Sequence, residues 1–172
     1  SVQAFAEEGK NVIKYSIADD PQQMDPSLNS YSRSSMVLQN LFQGLYKLGP
    51  DGQSYVPACA ESYEVSEDGT VYTIKIRQGV KFHNGQEMTA DDVVPSMENW
   101  LVKSSKATPI AGTTFAKVDD YTITATLPEA YSGALDIMAG NVQFAAIYPK
   151  SALDAAGEAG ITEFIGTGPY KL

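Results

Sequence analysis

The run from Ser62 to Arg77, SYEVSEDGTVYTIKIR, constrains the fold more than any other segment of this chain. Apolar and polar residues alternate on both sides of an Asp-Gly pair. Tyr63 and Val65 fall on one face of the first arm, opposite Ser62, Glu64 and Ser66; Tyr72, Ile74 and Ile76 share a face of the second, opposite Thr73, Lys75 and Arg77. Period-two alternation places such residues on one side of a strand, and Asp68-Gly69 supplies the positive-φ turn that twisted strands need. The segment predicts a hairpin, Ser62–Glu67 against Thr70–Arg77, with an apolar face that must be covered. The cover follows at once in sequence. Asn84-Gly85 marks a second tight turn, and Thr89 with Asp92 has capping-box spacing, with Asp91 adding charge at the positive helix end. Met97, Trp100 and Leu101 continue a buried stripe along the helix that Thr89 opens. Pro95 lies inside it, removes one backbone hydrogen bond, and predicts a kink.

The same reading extends along the chain. The opening residues SVQAFAEEGKN are polar and predict a flexible lead-in; Asn11–Ile17 alternates and predicts a strand. The stretch ADDPQQMDPSLNS is loop, because Pro21 and Pro26 deny it regular pairing. Ser32–Gln43 carries a helical stripe at Val37, Leu38, Leu41 and Phe42, with Gly44 placed to cap its C-terminus. Leu45–Leu48 predicts a short strand before the Gly49–Gly52 turn. Phe115–Val118 and Tyr121–Leu127 predict a further hairpin, with Tyr121, Ile123, Ala125 and Leu127 inward and Thr122, Thr124 and Thr126 outward. A short helix near Ser132–Ala139, a strand at Phe144–Tyr148, a helix from Pro149 through Ala156, and a turn entering a strand over Ile165–Leu172 complete the pattern.

Composition narrows the function. With 172 residues, 43% hydrophobic and 19% charged, the chain can bury an ordinary core. Its net charge of -9 and pI near 4.5 disfavour nucleic acid, which requires clustered Lys and Arg, whereas the twelve basic residues here are scattered. No apolar run is long enough to span a bilayer. The single cysteine, Cys59, rules out an internal disulfide and reads as a buried structural thiol.

Several segments, taken in order, resemble the family 5 extracellular solute-binding proteins. Met24-Asp25-Pro26 is similar to the family's LDP after the first strand; Leu41-Phe42-Gln43-Gly44-Leu45 resembles LFEGL; Ala60–Gly69 resembles AESWEVSEDG; Ile76–Gly85 resembles LRDGVKFHDG; Thr89–Val93 resembles TAEDVV. Ala146–Lys150 and Gly166–Leu172 match later family positions in the right order. Pro95 departs from the aromatic or aliphatic residue usual at its position. The resemblance implies an α/β fold, mixed with many antiparallel strands, forming the N-terminal part of lobe I of a type II periplasmic-binding-protein fold. It implies residues 1–45 as the first strand and helix of lobe I, 46–165 as its inserted subdomain, and 166–172 as a return strand, with lobe II outside this chain, which is thus expected to be a fragment. It implies a non-enzymatic, extracytoplasmic receptor, periplasmic or held at the cell surface as a lipoprotein, with a peptide or other small solute as ligand and an ABC transporter permease as partner. No cofactor or metal is implied, and membrane attachment only through a lipid anchor beyond these residues.

The residues offer one candidate ligand segment, Ala18, Asp19, Asp20, Pro21 and Gln22. A loop leaving the C-terminal end of an α/β strand sits where crevices form, and Asp19 or Asp20 can receive a peptide ammonium through a charge-assisted hydrogen bond. A solvated acidic turn is the competing reading. His83, the only histidine, reads as structural: one His with no convergent Cys or carboxylate set makes no metal site, and no GxSxG accompanies it. Gly166 and Gly168 resemble a phosphate loop only superficially, lacking the following Lys and helix. Tyr31, Tyr46, Tyr55 and Tyr131 read as mixed core and rim. Two other functional classes stay open on the residues alone, a secreted hydrolase or its accessory domain and an interaction module.

Overall fold

The computed structural model describes residues 5–6, 13–14, 19–52, 54–156 and 160–172. Its centre is a four-stranded antiparallel sheet built from β5 (Ala60–Val65), β6 (Val71–Ile76), β7 (Thr114–Asp119) and β8 (Thr122–Thr126), in the order β5-β6-β8-β7. The predicted hairpin is present. Tyr63 lies opposite Ile74 and Val65 opposite Tyr72, so the alternating residues do share one face. At the turn, Gly69 takes φ +73 and the Asp68 carboxylate gathers the Ser66 hydroxyl and both the N–H and hydroxyl of Thr70. That local cage pulls the Asp68 carboxyl below the usual range, the Ser66 bond contributing most.

The sheet's second half arrives from the far side of a helix. α2 (Ala90–Lys103) starts on the expected capping box: Asp91 N–H donates to the Thr89 hydroxyl and Thr89 N–H donates to Asp92. The helix continues through Pro95 as one element. Val93, Met97 and Trp100 are fully buried in the same cluster as Ile74, Ile76, Ile123 and Ala125. Full burial of a side chain of this size contributes about 1.5–3 kcal/mol, so this one helix stripe stabilises the sheet more than any surface contact can. Thr122 departs from expectation. It is buried, because it receives the Lys75 ammonium at 2.9 Å on the face opposite the core.

A second cluster forms around α1 (Ser32–Leu41), with Leu38, Leu41 and Phe42 packed against Phe144, Ala146, Tyr148 and Ile161. Phe144–Tyr148 is buried as predicted but is not a strand. Its single bridge is Ala146 to Gly44, and its other polar groups turn to side chains: Tyr148 N–H donates to the Ser96 hydroxyl at 3.0 Å. A ladder needs a continuous neighbour, and α2 supplies hydroxyls there instead. Gly44, in turn, is not a helix cap. α1 ends at Phe42 in extended conformation, and Gly44 serves close approach, since a Cβ there would lie 2.7 Å from the Ala145 carbonyl oxygen.

The remaining elements are short. β1 (Phe5–Ala6) pairs antiparallel with β2 (Ile13–Lys14), so the opening segment is not all lead-in coil; residues 11–12 and 15–17 of the predicted Asn11–Ile17 strand lie outside the described residues. β3 (Tyr46–Leu48) pairs with β4 (Tyr55–Pro57). A 3-10 turn covers Ser105–Ile110, and α3 (Ala134–Met138) and α4 (Lys150–Ala155) fall where predicted. Ile165–Leu172 has no ladder partner among the described residues. It is held by α1's end, with Gly168 N–H donating to the Leu41 carbonyl and Tyr170 N–H to that of Asn40.

Candidate functional site

The loop expected to meet a ligand is docked on the first turn of α1. Gln22 N–H donates to the Ser34 hydroxyl at 3.1 Å, and the Gln22 side chain folds back onto the Asp20 carbonyl at 3.2 Å. Asp19 and Asp20 are exposed, Gln22 is exposed and Pro21 is half-buried. Ala18 lies outside the described residues. Asp19 forms an ion pair with Arg33, whose guanidinium sits at the start of α1. Any ligand ammonium reaching Asp19 therefore competes with an existing partner, whereas the Asp20 carboxylate has none among the described residues. Arg33 escaped the sequence reading because nothing in its neighbourhood marks it as the partner of an acid fourteen residues earlier.

Asn29 fixes the path from this loop into α1. Its amide donates to the Ser35 hydroxyl at 2.8 Å and the Tyr31 carbonyl at 3.1 Å, and its side-chain oxygen accepts from Tyr31 N–H at 3.0 Å. Its carbonyl accepts from Gln143 N–H, and Gln143 in turn receives Trp100 Nε1 at 2.6 Å. Gln143 adopts φ +50, a conformation unfavourable for a side-chain-bearing residue and sustained here by those tertiary bonds. The position of the candidate loop is thus tied to the core of the sheet.

Asp25 is the buried charge of this region, 1% exposed. Its carboxylate accepts Ser27 N–H at 2.9 Å, the Tyr148 hydroxyl at 3.2 Å and Ile161 N–H at 3.2 Å, with the Lys103 ammonium at 3.8 Å. Burial drives the Tyr148 hydroxyl well above its ordinary range, and the Asp25 charge adds to that, so the phenol is a fixed donor. Asp25 therefore joins four separated segments, which is a structural assignment rather than a ligand contact.

His83 plays a comparable part at the chain's other end. Its backbone N–H donates to the Gly166 carbonyl at 2.9 Å, its Nδ1 accepts Gly166 N–H at 3.2 Å, and its Nε2 meets the Gly168 carbonyl at 2.9 Å. An Nδ1 that accepts fixes the neutral tautomer with its proton on Nε2. The structural reading of His83 holds, and Gly166 and Gly168 are its partners rather than a phosphate cradle. Cys59 lies nearby, fully buried, its sulfur 3.4 Å from the Thr167 hydroxyl. Burial pushes its thiol up to about 11, which suits a packing group and not a nucleophile.

Among the described residues no group of three or more His, Cys, Asp or Glu side chains converges as a metal site, and no helix is long and apolar enough to cross a membrane. Four cavities of about 300–450 Å³ open on the surface, and none is lined by residues 19–22. One of about 390 Å³ runs along α1 and β3, lined by Met36, Gln39, Gln43, Tyr46 and Phe144. The tyrosines divide as the sequence suggests: Tyr46 is buried, Tyr55 half-buried, and Tyr31 and Tyr131 exposed.

Comparison with known proteins adds what this geometry does not carry. The profile of the bacterial extracellular solute-binding proteins, family 5 middle, matches residues 54–172. The glutathione-binding protein GsiB of Escherichia coli is 31% identical over 175 residues, covering 98% of this chain and 33% of that protein. Among solved structures, AgaA of A. tumefacien R10 in complex with agropinic acid superposes with a TM-score of 0.80 at 29% identity, over 88% of this chain and 31% of that one. The oligopeptide-binding protein AppA of Bacillus subtilis, in complex with a nonapeptide, gives 0.73 at 27% identity, over 88% and 31%. The chain spans about a third of the length of the curated relatives it matches.

Proposed function

The chain belongs to the family 5 bacterial extracellular solute-binding proteins, and from that premise we propose that it forms part of an extracytoplasmic receptor that captures a peptide or related small solute and delivers it to an ABC transporter permease. Capture works by closure of two lobes, because contacts made by both walls exist only in the closed form and the ligand's free energy is what favours it. Residues 1–45 and 166–172 belong to lobe I in this reading, and 46–165 to the subdomain inserted in it. The loop Ala18–Gln22, held on α1 by Ser34, offers Asp20 as a carboxylate for a ligand ammonium and Asp19 as a second one shared with Arg33. A lipid anchor outside these residues would hold the receptor at a cell surface; a free periplasmic form needs none.

The observation that carries this reading is the joint match in sequence and fold to binding proteins over nearly the whole chain. The relatives are binding proteins, which favours capture over the hydrolase reading. The test is a chimera in which this chain replaces the corresponding third of the glutathione-binding relative, titrated calorimetrically with glutathione and short peptides. Saturable binding that weakens on Asp20→Asn supports the proposal. A folded chimera that binds none of these ligands overturns it. The chain by itself, with one wall of the cleft, is expected to bind them weakly or not at all.

A further inference from the structure

A second pocket, of about 450 Å³, lies between β3, β4 and β5 and is lined by none of the residues named for solute capture. Tyr46, Tyr55 and Tyr63 form its aromatic walls, with Leu135 and Pro57, and Glu61 stands among its lining residues. Tyr46 and Tyr63 meet edge to face at 5.7 Å, and Tyr63 is braced from behind by stacking on Tyr72 at 6.2 Å. Tyr72 is anchored through its hydroxyl to the Tyr131 carbonyl at 3.1 Å. The walls are therefore rigid, although Tyr63 itself is 45% exposed.

Two polar groups there have no partner. Tyr46 is 4% exposed, yet its hydroxyl makes no hydrogen bond. Buried hydroxyls are almost always paired, because losing water without replacement costs about 1–3 kcal/mol. Glu61, the extra residue at the β5 bulge, has neither an ion pair nor a hydrogen bond among the described residues. Tyr55 is different: its hydroxyl is engaged by Asp136, which places a second carboxylate beside the same wall. Aromatic faces attract cations, an unpaired phenol oxygen accepts a hydrogen bond, and free carboxylates supply the counter-charge.

We infer that the Tyr46–Tyr55–Tyr63 pocket is a binding site for a primary alkylammonium group, which sits against the tyrosine faces, donates to the Tyr46 hydroxyl and faces Glu61. A quaternary ammonium satisfies the aromatic faces but has no N–H for the Tyr46 oxygen, so the site discriminates between the two. The shared chemistry can arrive on a free amine or on a lysine side chain.

The experiment is a titration of the 172-residue chain, followed by amide chemical shifts at constant pH, with n-butylammonium, Nα-acetyl-lysine amide and tetramethylammonium. Saturable shifts at Tyr46, Tyr55 and Glu61–Tyr63 with either primary ammonium support the site, and the comparison of the two tells which source fits. Tyr46→Phe keeps the ring and removes the oxygen, and is expected to weaken binding about tenfold, in line with one hydrogen bond to a charged group. Glu61→Gln, on an exposed strand, is expected to weaken it about threefold and guards against a folding defect in the first variant. Shifts that never saturate, affinities unchanged in both variants, or tetramethylammonium binding as tightly as butylammonium would each overturn the assignment. None of these outcomes bears on the chimera's capture of peptides, so the two readings fail separately.

Discussion

The hydroxyl of Tyr148 donates to the carboxylate of Asp25 at 3.2 Å, joining residues 123 positions apart in the chain. Because both groups are buried, neither has water as a substitute partner. Tyr148→Phe removes the donor and is expected to cost about 1–2 kcal/mol in urea denaturation. Asp25→Asn should cost more, about 2–4 kcal/mol, since an amide nitrogen would face Ser27 or Ile161 N–H donor to donor and leave Lys103 without its counter-charge. Equal losses in the two variants would contradict the central place given to Asp25.

His83 is expected to hold the 166–168 segment rather than to act on a ligand. His83→Ala should leave the sheet intact while hydrogen exchange at Gly166 N–H accelerates, because that amide loses the Nδ1 acceptor. His83→Phe preserves bulk without the acceptor, and should accelerate exchange as well. Unchanged protection of Gly166 in both variants would show that the packing, not the imidazole, holds the segment.

Gly166 is required for close packing. A Cβ there would lie 2.7 Å from the Phe42 ring and nearer still to the Leu41 carbonyl oxygen. Gly166→Ala is expected to destabilise by about 2–3 kcal/mol through forced separation of this segment from α1. Thermal denaturation reads the loss. A near-neutral result would mean that α1 and the 166–168 segment separate at little cost.

Cys59 gives the pH prediction. Its thiol is raised from an ordinary value near 9 to about 11, burial being the main cause. Its contribution is therefore fully present below about pH 9, where the thiol is protonated in both states. It is lost as pH rises toward about 11, because the unfolded thiol releases its proton first. Cys59→Ala should flatten the start of the alkaline decline in stability. In the native protein at pH 8 the thiol should react with a disulfide reagent far more slowly than in denaturant; equal rates would place it at the surface.

Sheet-forming alternation and capping chemistry were legible because they are local. Tyr72, Ile74 and Ile76 face inward whatever lies beyond them, and Thr89 with Asp92 closes a capping box within four residues. Phe144–Tyr148 was legible as buried but not as irregular. Apolar runs of that length signal burial, and only the approach of Ser96 and Gly44 decides whether a ladder forms. The candidate loop illustrates the same limit at the site. Its acids and prolines mark a turn, while the pairing of Asp19 with Arg33 and the seat of Gln22 on Ser34 depend on where α1 comes to rest.

By itself the sequence determined the hairpins, the capped helix, the acidic surface and the kinship with solute-binding proteins, since each of these is written in neighbouring residues or in their order. Only the tertiary structure decided that Asp25 is a buried junction, that His83 clasps Gly166 and Gly168, and that Tyr46 keeps an unpaired hydroxyl beside Glu61. Those are pairings, or failures of pairing, between groups far apart in sequence. A chain's order specifies which groups exist, but the free energy of a buried polar atom depends on what the fold has placed within 3 Å of it.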